Sequence, residues 1–139
     1  MGACGRLGRF CSLNIEMILG VGIDLVGIEK IAKSVRRESF LRKVFTPGET
    51  EACIGLSNPA EHFAGKFAAK EAFMKAIGKG IRQKVWFTQI EVLSSETGAP
   101  NIRASGEAAR TMKEMGVTRV HASISHSEGM AVAVVILEG

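Results

Sequence analysis

The chain has 139 residues, 46% hydrophobic and 23% charged, enough for one domain with a real core and too short for two. Its apolar runs fall well short of the roughly 20 residues that span a membrane, so no membrane segment is expected. The formal charge of +4 favours anionic partners, but one Trp, no Tyr and no interleaving of aromatic and basic residues rank nucleic acid below a phosphorylated small molecule or an acidic protein.

Residues 1–16 hold two arginines, three glycines and no periodicity. They are expected to form a mobile extension ahead of a domain over residues 17–139, without the apolar stretch of a signal peptide. Cys4, Cys11 and Cys53 are odd in number and lack a ligand spacing, which argues against a disulfide framework or a zinc site. A reducing compartment, the cytoplasm, is expected.

Met17 to Asp24 reads as a strand. Leu19, Val21 and Ile23 alternate onto one face, and Ile18, Gly20, Gly22 and Asp24 onto the other. The two glycines are expected to leave room for a ligand or another backbone. Asp24 is either a site carboxylate or an ordinary cap. Ile28 to Phe40 then reads as one amphipathic helix with Ile28, Ile31, Ala32 and Val35 inward. Its outer side, with Lys30, Lys33, Arg36 and Arg37, is either a solvated face or a dock for an acidic partner.

Thr46-Pro47-Gly48-Glu49 carries the signature of a capping box, and predicts a short helix ending near Gly55. Asn58-Pro59 opens the longest helix, which runs to Gly78. Phe63, Phe67, Met74 and Ile77 fall in one stripe of that helix, and Phe73 lies off it. That is more apolar surface than a monomer need bury, and fits an interface. Glu71 sits at the edge of the stripe with Lys75 one turn on. The two are either a solvated ion pair or, with the Gly78-Lys79-Gly80 loop, a place for a metal and a phosphate. Lys70 falls inside the stripe and must snorkel or enter a polar pocket.

Arg82 to Phe87 reads as a loop whose Trp86 and Phe87 cover the core. Thr88 to Ser94 and Pro100 to Ala104 read as strands joined through a turn at Glu96-Thr97-Gly98. Ser105 caps a helix that ends before Gly116. Arg119 to Ser127 and Met130 to Leu137 form a hairpin through Glu128-Gly129. Val120, Ala122, Ile124 and His126 share one face of its first strand. Ser125-His126-Ser127 is either surface or, with two hydroxyls and a titratable ring, a phosphate contact. No G-x-S-x-G elbow and no G-x-G-x-x-G fingerprint occurs. The irregular mixture points to an α+β single domain, an antiparallel sheet with a long central helix.

Three blocks, GVGIDLVGIEKI from Gly20, FAAKEAFMKAIGKG from Phe67 and HASISHSEGMAVAVVI from His121, stand in this order. Together they resemble the holo-acyl-carrier-protein synthases, the small bacterial 4′-phosphopantetheinyl transferases, over about Met17 to Leu137. The resemblance implies transfer of the 4′-phosphopantetheine arm of coenzyme A to a serine of apo acyl carrier protein, with Mg²⁺ and release of adenosine 3′,5′-bisphosphate. It implies Asp24 and Glu71 as metal ligands and Lys75 on the phosphates. Glu71, directly or through a water, is the candidate acceptor of the serine proton. It also implies Lys66 and His126 near coenzyme A; by their residue types, Gly78, Gly80, Ser125 and Ser127 are the further candidate phosphate contacts. Lys30, Arg36 and Arg37 fall where the carrier protein docks. Family members are typically trimers with the site between adjacent subunits.

Two positions depart from the family pattern. Lys79 stands between glycines where a small residue is common, and Ala99 precedes Pro100 where a Lys is common. One basic contact is therefore expected to have moved from position 99 to Lys79. Two competing classes remain: a Mg²⁺-dependent phosphohydrolase of a nucleotide diphosphate ester, and a non-catalytic module binding coenzyme A or an acidic helix. The basic first helix argues against the first. The carboxylate pair, costly beside an anion without a metal, argues against the second.

Overall fold

In the computed structural model, which describes residues 13–139, the chain runs β1 (Ile18–Gly27), α1 (Ile28–Ser34), α2 (Glu38–Val44), α3 (Pro47–Ile54), α4 (Pro59–Ile77), β2 (Ile90–Ser94), β3 (Pro100–Ala104), α5 (Gly106–Met115), β4 (Arg119–Ser127) and β5 (Met130–Glu138). The expectations for residues 1–12, Cys4 and Cys11 included, lie outside the described residues. Leu13 to Glu16 precede β1 without regular structure.

Two antiparallel sheets form, one in the order β1-β5-β4 and one pairing β2 with β3. In the larger sheet Asp24 lies opposite Ala133, which lies opposite Ile124. Glu128 and Gly129 make the β4–β5 turn with φ of 52° and 73°, the left-handed pair that a tight hairpin requires. The α+β architecture with a long helix on an antiparallel sheet is the one expected.

α4 lies across this sheet, and small residues let it come close. Ala64, Ala68, Ala69, Ala72 and Ala76 are buried. A Cβ on Gly20 would lie 2.2 Å from the Ala76 carbonyl oxygen, and one on Gly22 would lie 1.8 Å from that of Ala72. A Cβ on Gly65 would meet the Ile124 side chain at 2.8 Å. The Gly20–Gly22 face is therefore filled by the backbone of α4. Of the two occupants expected, a ligand and another backbone, the second is found, and these glycines leave no room for a pyrophosphate.

The capping box at Thr46 is present: the Glu49 amide donates to Thr46 Oγ1 at 3.2 Å, and the Thr46 amide donates to Glu49 Oε1 at 2.9 Å. α4 ends at Gly78 in the left-handed conformation, φ 70°, as its position predicts.

Three expectations are corrected. The helix expected over Ile28 to Phe40 is two helices, because Arg37 adopts an extended conformation, φ −88° and ψ 115°. An unbroken helix would carry the inward stripe of Ile28, Ile31 and Val35 on to Glu38, Ser39 and Arg42. The break resets the face so that Phe40, Leu41 and Val44 pack inward instead. Ser34 Oγ bonds the Lys30 carbonyl at 2.9 Å at the end of α1, a competitor to continued helix. Trp86 does not cover the core: it is 49% exposed, and only Phe87 packs, stacked on Phe67 with centroids 5.5 Å apart.

The third correction concerns surplus apolar surface. Phe63, Phe73, Met74 and Ile77 are all buried within the monomer, so α4 spends its apolar side internally. The surplus lies on the far face of the sheet, where Val21, Ile23 and Leu25 are 58%, 60% and 61% exposed. Val132, Val134 and Ile136 alternate onto the same face and are half-buried.

Candidate active site

β1 runs past Asp24 to Gly27, and its alternation places Asp24 on the side facing α4. Lys75, in the last turn of α4, donates from Nζ to Asp24 Oδ1 at 3.1 Å and to the Ile23 carbonyl at 2.9 Å. Glu71 is half-buried one turn earlier. Burial, and then the charge of Asp24, hold its carboxyl above the ordinary value, while Lys75 and Lys30 pull the other way. The sequence-distant Asp24, Glu71 and Lys75 thus form one electrostatic cluster, with Lys30 at its edge. Lys30 was expected only as a docking residue. No spacing in the sequence shows that the start of α1 passes close to α4.

Glu71, Lys75, Gly78 and Gly80 line one groove of about 370 Å³, together with Lys79 and Arg82. Arg82 was not expected there, although a basic residue two positions after the glycine pair is a readable signal. Lys79 Nζ lies 3.7 Å from Glu107 and 3.9 Å from Glu114 of α5, so its charge is already shared with two carboxylates.

Lys66 and His126 meet elsewhere, in a groove of about 280 Å³ that Gly98 and Pro100 also line. Lys66 is buried and its Nζ donates to the Val92 carbonyl at 2.6 Å. His126 Nε2 lies 3.8 Å from Glu61, a neighbour that sequence reasoning missed. Ser125 and Ser127 alternate onto the opposite face of β4 from His126, so in one protomer the three do not converge. Glu61 and Lys66, both lining that groove, precede Glu71 on one helix by ten and five residues, roughly 15 and 8 Å along its axis.

Lys30, Arg36 and Arg37 are exposed, and none of them makes an ion pair among the described residues. Arg37 stands over the Phe40 ring, 5.9 Å from its centroid, which fixes it at the α1–α2 junction.

The carboxylate pair suits a hard divalent cation. Two like charges share one half-buried place, and the charged form of Glu71 is disfavoured there, a cost that a cation offsets. Among the described residues no group of three or more His, Cys, Asp or Glu gathers. Further ligands would come from substrate oxygens and water, as is usual for Mg²⁺.

A sequence model of the 4′-phosphopantetheinyl transferase superfamily matches residues 20–135. The chain belongs to this superfamily. Among phosphopantetheinyl transferases, it is 47% identical over 124 residues to a holo-[acyl-carrier-protein] synthase of Halothermothrix orenii, covering 88% of this chain and 98% of that protein. The crystal structure of the holo-[acyl-carrier-protein] synthase from Neisseria meningitidis superposes with a TM-score of 0.79 at 34% identity, over 88% of this chain and all of that one. The Bacillus anthracis holo-(acyl-carrier-protein) synthase, solved in complex with CoA (3′,5′-ADP), gives 0.73 at 40% identity, over 88% and 98%. The matched residues 20–135 take in both grooves.

Proposed function

We propose that this phosphopantetheinyl transferase moves the 4′-phosphopantetheine arm of coenzyme A onto a serine of an apo acyl carrier protein. The similarity to holo-[acyl-carrier-protein] synthases over nearly the full length supports the reaction. The observation that carries the site is the meeting of Asp24, Glu71 and Lys75 across β1 and α4.

In this reading Asp24 and Glu71 hold Mg²⁺, which when bound supplies neutralisation of the pyrophosphate charge. Lys75 donates to phosphate oxygens from beside Asp24, and the Gly78–Gly80 loop lets backbone amides approach them. Glu71, directly or through a water, accepts the serine proton as the serine oxygen attacks phosphorus in line. The new serine O–P bond forms as the bridging P–O bond of the pyrophosphate breaks, and adenosine 3′,5′-bisphosphate leaves with that oxygen. Lys66 and His126 take the nucleotide end of coenzyme A, with Ser125 and Ser127 contacting phosphate from a neighbouring copy's side. Lys30, Arg36 and Arg37 form the dock for the acidic carrier protein.

The working unit is a homotrimer. Two features support it: the uncovered apolar sheet face of Val21, Ile23 and Leu25, and the separation of the two grooves within one chain. Neighbouring copies would complete each site. Residues 17–139 are the catalytic domain and residues 1–16 an extension. The cytoplasm is the proposed compartment, in keeping with a free, buried Cys53.

The test is incubation with coenzyme A, Mg²⁺ and an apo carrier protein, read by mass spectrometry. The carrier is expected to gain one phosphopantetheine arm on a serine. Free pantetheine phosphate without a mass gain would make the protein a phosphohydrolase, and neither product would make it a binding module.

A further inference from the structure

Lys70, the residue before Glu71, is fully buried together with Glu49 of α3. Its three ammonium hydrogens have three acceptors: Glu49 Oε1 at 2.6 Å, the Ile90 carbonyl at 2.7 Å and the Phe87 carbonyl at 2.9 Å. Glu49 is equally engaged. Its Oε1 also accepts the Thr46 amide at 2.9 Å, and its Oε2 accepts the Val92 amide at 2.8 Å. One ammonium thus binds α4 to the capping box of α3, to the single turn at Phe87–Gln89 and to the start of β2.

The Phe87 contact connects this knot to the site. Phe87 lines the groove that holds Glu71 and Lys75, and its ring stacks on Phe67 of the same helix. The segment from Ile81 to Phe87 is anchored in the core through Val85, which is fully buried, while Ile81 and Trp86 on either side of it are each 49% exposed. A buried ion pair is a poor way to gain stability, because an apolar pair of similar volume often does as well or better. What an apolar pair cannot do is grip a loop carbonyl at a fixed distance from the helix.

We propose that Lys70 is a positioning residue for the transfer reaction, holding the Phe87 wall of the groove against the turn of α4 that carries Glu71. The inference rests on the reading of that groove as the transfer site. Lys70 touches neither substrate nor reacting atoms, and acts through Phe87 and through the placement of Glu71.

The experiment compares the native chain with Lys70→Met, with the double variant Glu49→Leu/Lys70→Met, and with Lys70→Arg. The double variant removes both buried charges and is expected to regain the thermal stability that Lys70→Met loses. Its kcat is nevertheless expected to fall about tenfold or more, with KM for the carrier protein unchanged, since small misplacements near the reacting atoms are costly. Recovery of both stability and kcat in the double variant would overturn the proposal and leave the pair purely structural. Lys70→Arg keeps the charge but replaces a compact ammonium by a planar fork unsuited to these three acceptors. It serves if the double variant does not fold: full kcat in Lys70→Arg would overturn the proposal.

A second readout does not depend on activity. Trp86 is the chain's only tryptophan and neighbours Phe87, so acrylamide quenching of its fluorescence reports how firmly the segment is held. Quenching is expected to rise in the double variant, and unchanged quenching would overturn the proposal. If the native chain transferred no arm to any carrier, the functional reading would fail by itself, while quenching would still test the grip on the loop.

Discussion

The Lys75 ammonium reaches 51 residues back along the chain to sit 3.1 Å from the Asp24 carboxylate. The pair is uneven: the Lys75 side chain is 55% exposed and that of Asp24 17%. An ion pair open to solvent on one side contributes little to stability, between zero and about 1 kcal/mol. In the proposed reaction its value would lie in fixing a cation beside the carboxylates before substrate arrives. Lys75→Met is therefore expected to leave the melting temperature nearly unchanged and to lower kcat on the order of a hundredfold, the usual cost of one lost donor to developing charge. Parallel calorimetry and steady-state transfer assays check this, and a large fall in Tm with normal kcat would contradict it.

Glu71 should likewise matter to the reaction and not to the fold. Burial, and next the Asp24 charge, raise its pKa above the ordinary 4.5. A folded pKa above the unfolded one means that the native state takes up the proton more readily, so the group favours folding below the raised pKa. As pH rises through that value the favourable contribution is lost. At pH 7 the carboxylate is a burden on the fold, and Glu71→Gln is expected to hold or raise Tm while abolishing transfer. Cation binding needs the carboxylate, so Mg²⁺ affinity should weaken on acidification from a higher pH than for an ordinary glutamate. Titration calorimetry with Mg²⁺ and coenzyme A across the acid range reads this slope. Near-normal turnover in Glu71→Gln would remove Glu71 from the mechanism.

Local rules made some of the fold readable from the sequence alone. The capping box at Thr46, the left-handed stop at Gly78 and the alternation of β4 each depend on a few neighbouring residues, and each stands where it was expected. Features set by tertiary packing were not readable. Gly20 and Gly22 announce close approach, but only the fold shows that α4 is what approaches. The break at Arg37 follows from which apolar residues must face inward, a choice the continuous basic face conceals. For the site, the blocks around Asp24 and Glu71 named residues that the fold brings together with Lys75, and the structure adds the closeness of Lys30 to Glu71. Glu61 beside His126 escaped notice because the N-terminal end of a long helix carries no sign of which strand it crosses.

The seat of α4 makes a sharp steric prediction. In Gly22→Ala the new methyl would lie 1.8 Å from the Ala72 carbonyl oxygen and 2.8 Å from its carbonyl carbon. Backbone in the middle of a helix cannot yield locally, so the helix must move or the fold must strain, at about 1–3 kcal/mol or more. Asp24 stands two residues beyond Gly22, and Glu71 stands beside Ala72, so the same movement separates the two carboxylates. Tm and kcat are expected to fall together. Gly27→Ala is the control: its Cβ would meet Lys30 Cβ at an ordinary 3.9 Å, so its Tm should fall by no more than the loss of a glycine N-cap of α1 costs, far less than in Gly22→Ala. A fully stable, fully active Gly22→Ala would mean that α4 is not held where it is described.

The uncovered sheet face yields the last prediction. Ile23, Val134 and Ser123 form one row across β1, β5 and β4, with Val134 at its centre. Apolar residues in that number, left open to water, mark a surface that another chain covers. A lysine at the middle of such a face would have to be buried unpaired next to its symmetry copies, where like charges repel. Val134→Lys should therefore fold as a single chain, since its side chain points away from α4 and the core. It should elute at the single-chain mass, where the proposed trimer requires the native protein to elute at the mass of three chains. Transfer should be lost with assembly, because in the proposed trimer neighbouring copies complete each site. Light scattering on the eluting peak, circular dichroism and the transfer assay together check this. A native protein that runs as a single chain and is active at that mass would place the whole site within one protomer and remove the need for a partner.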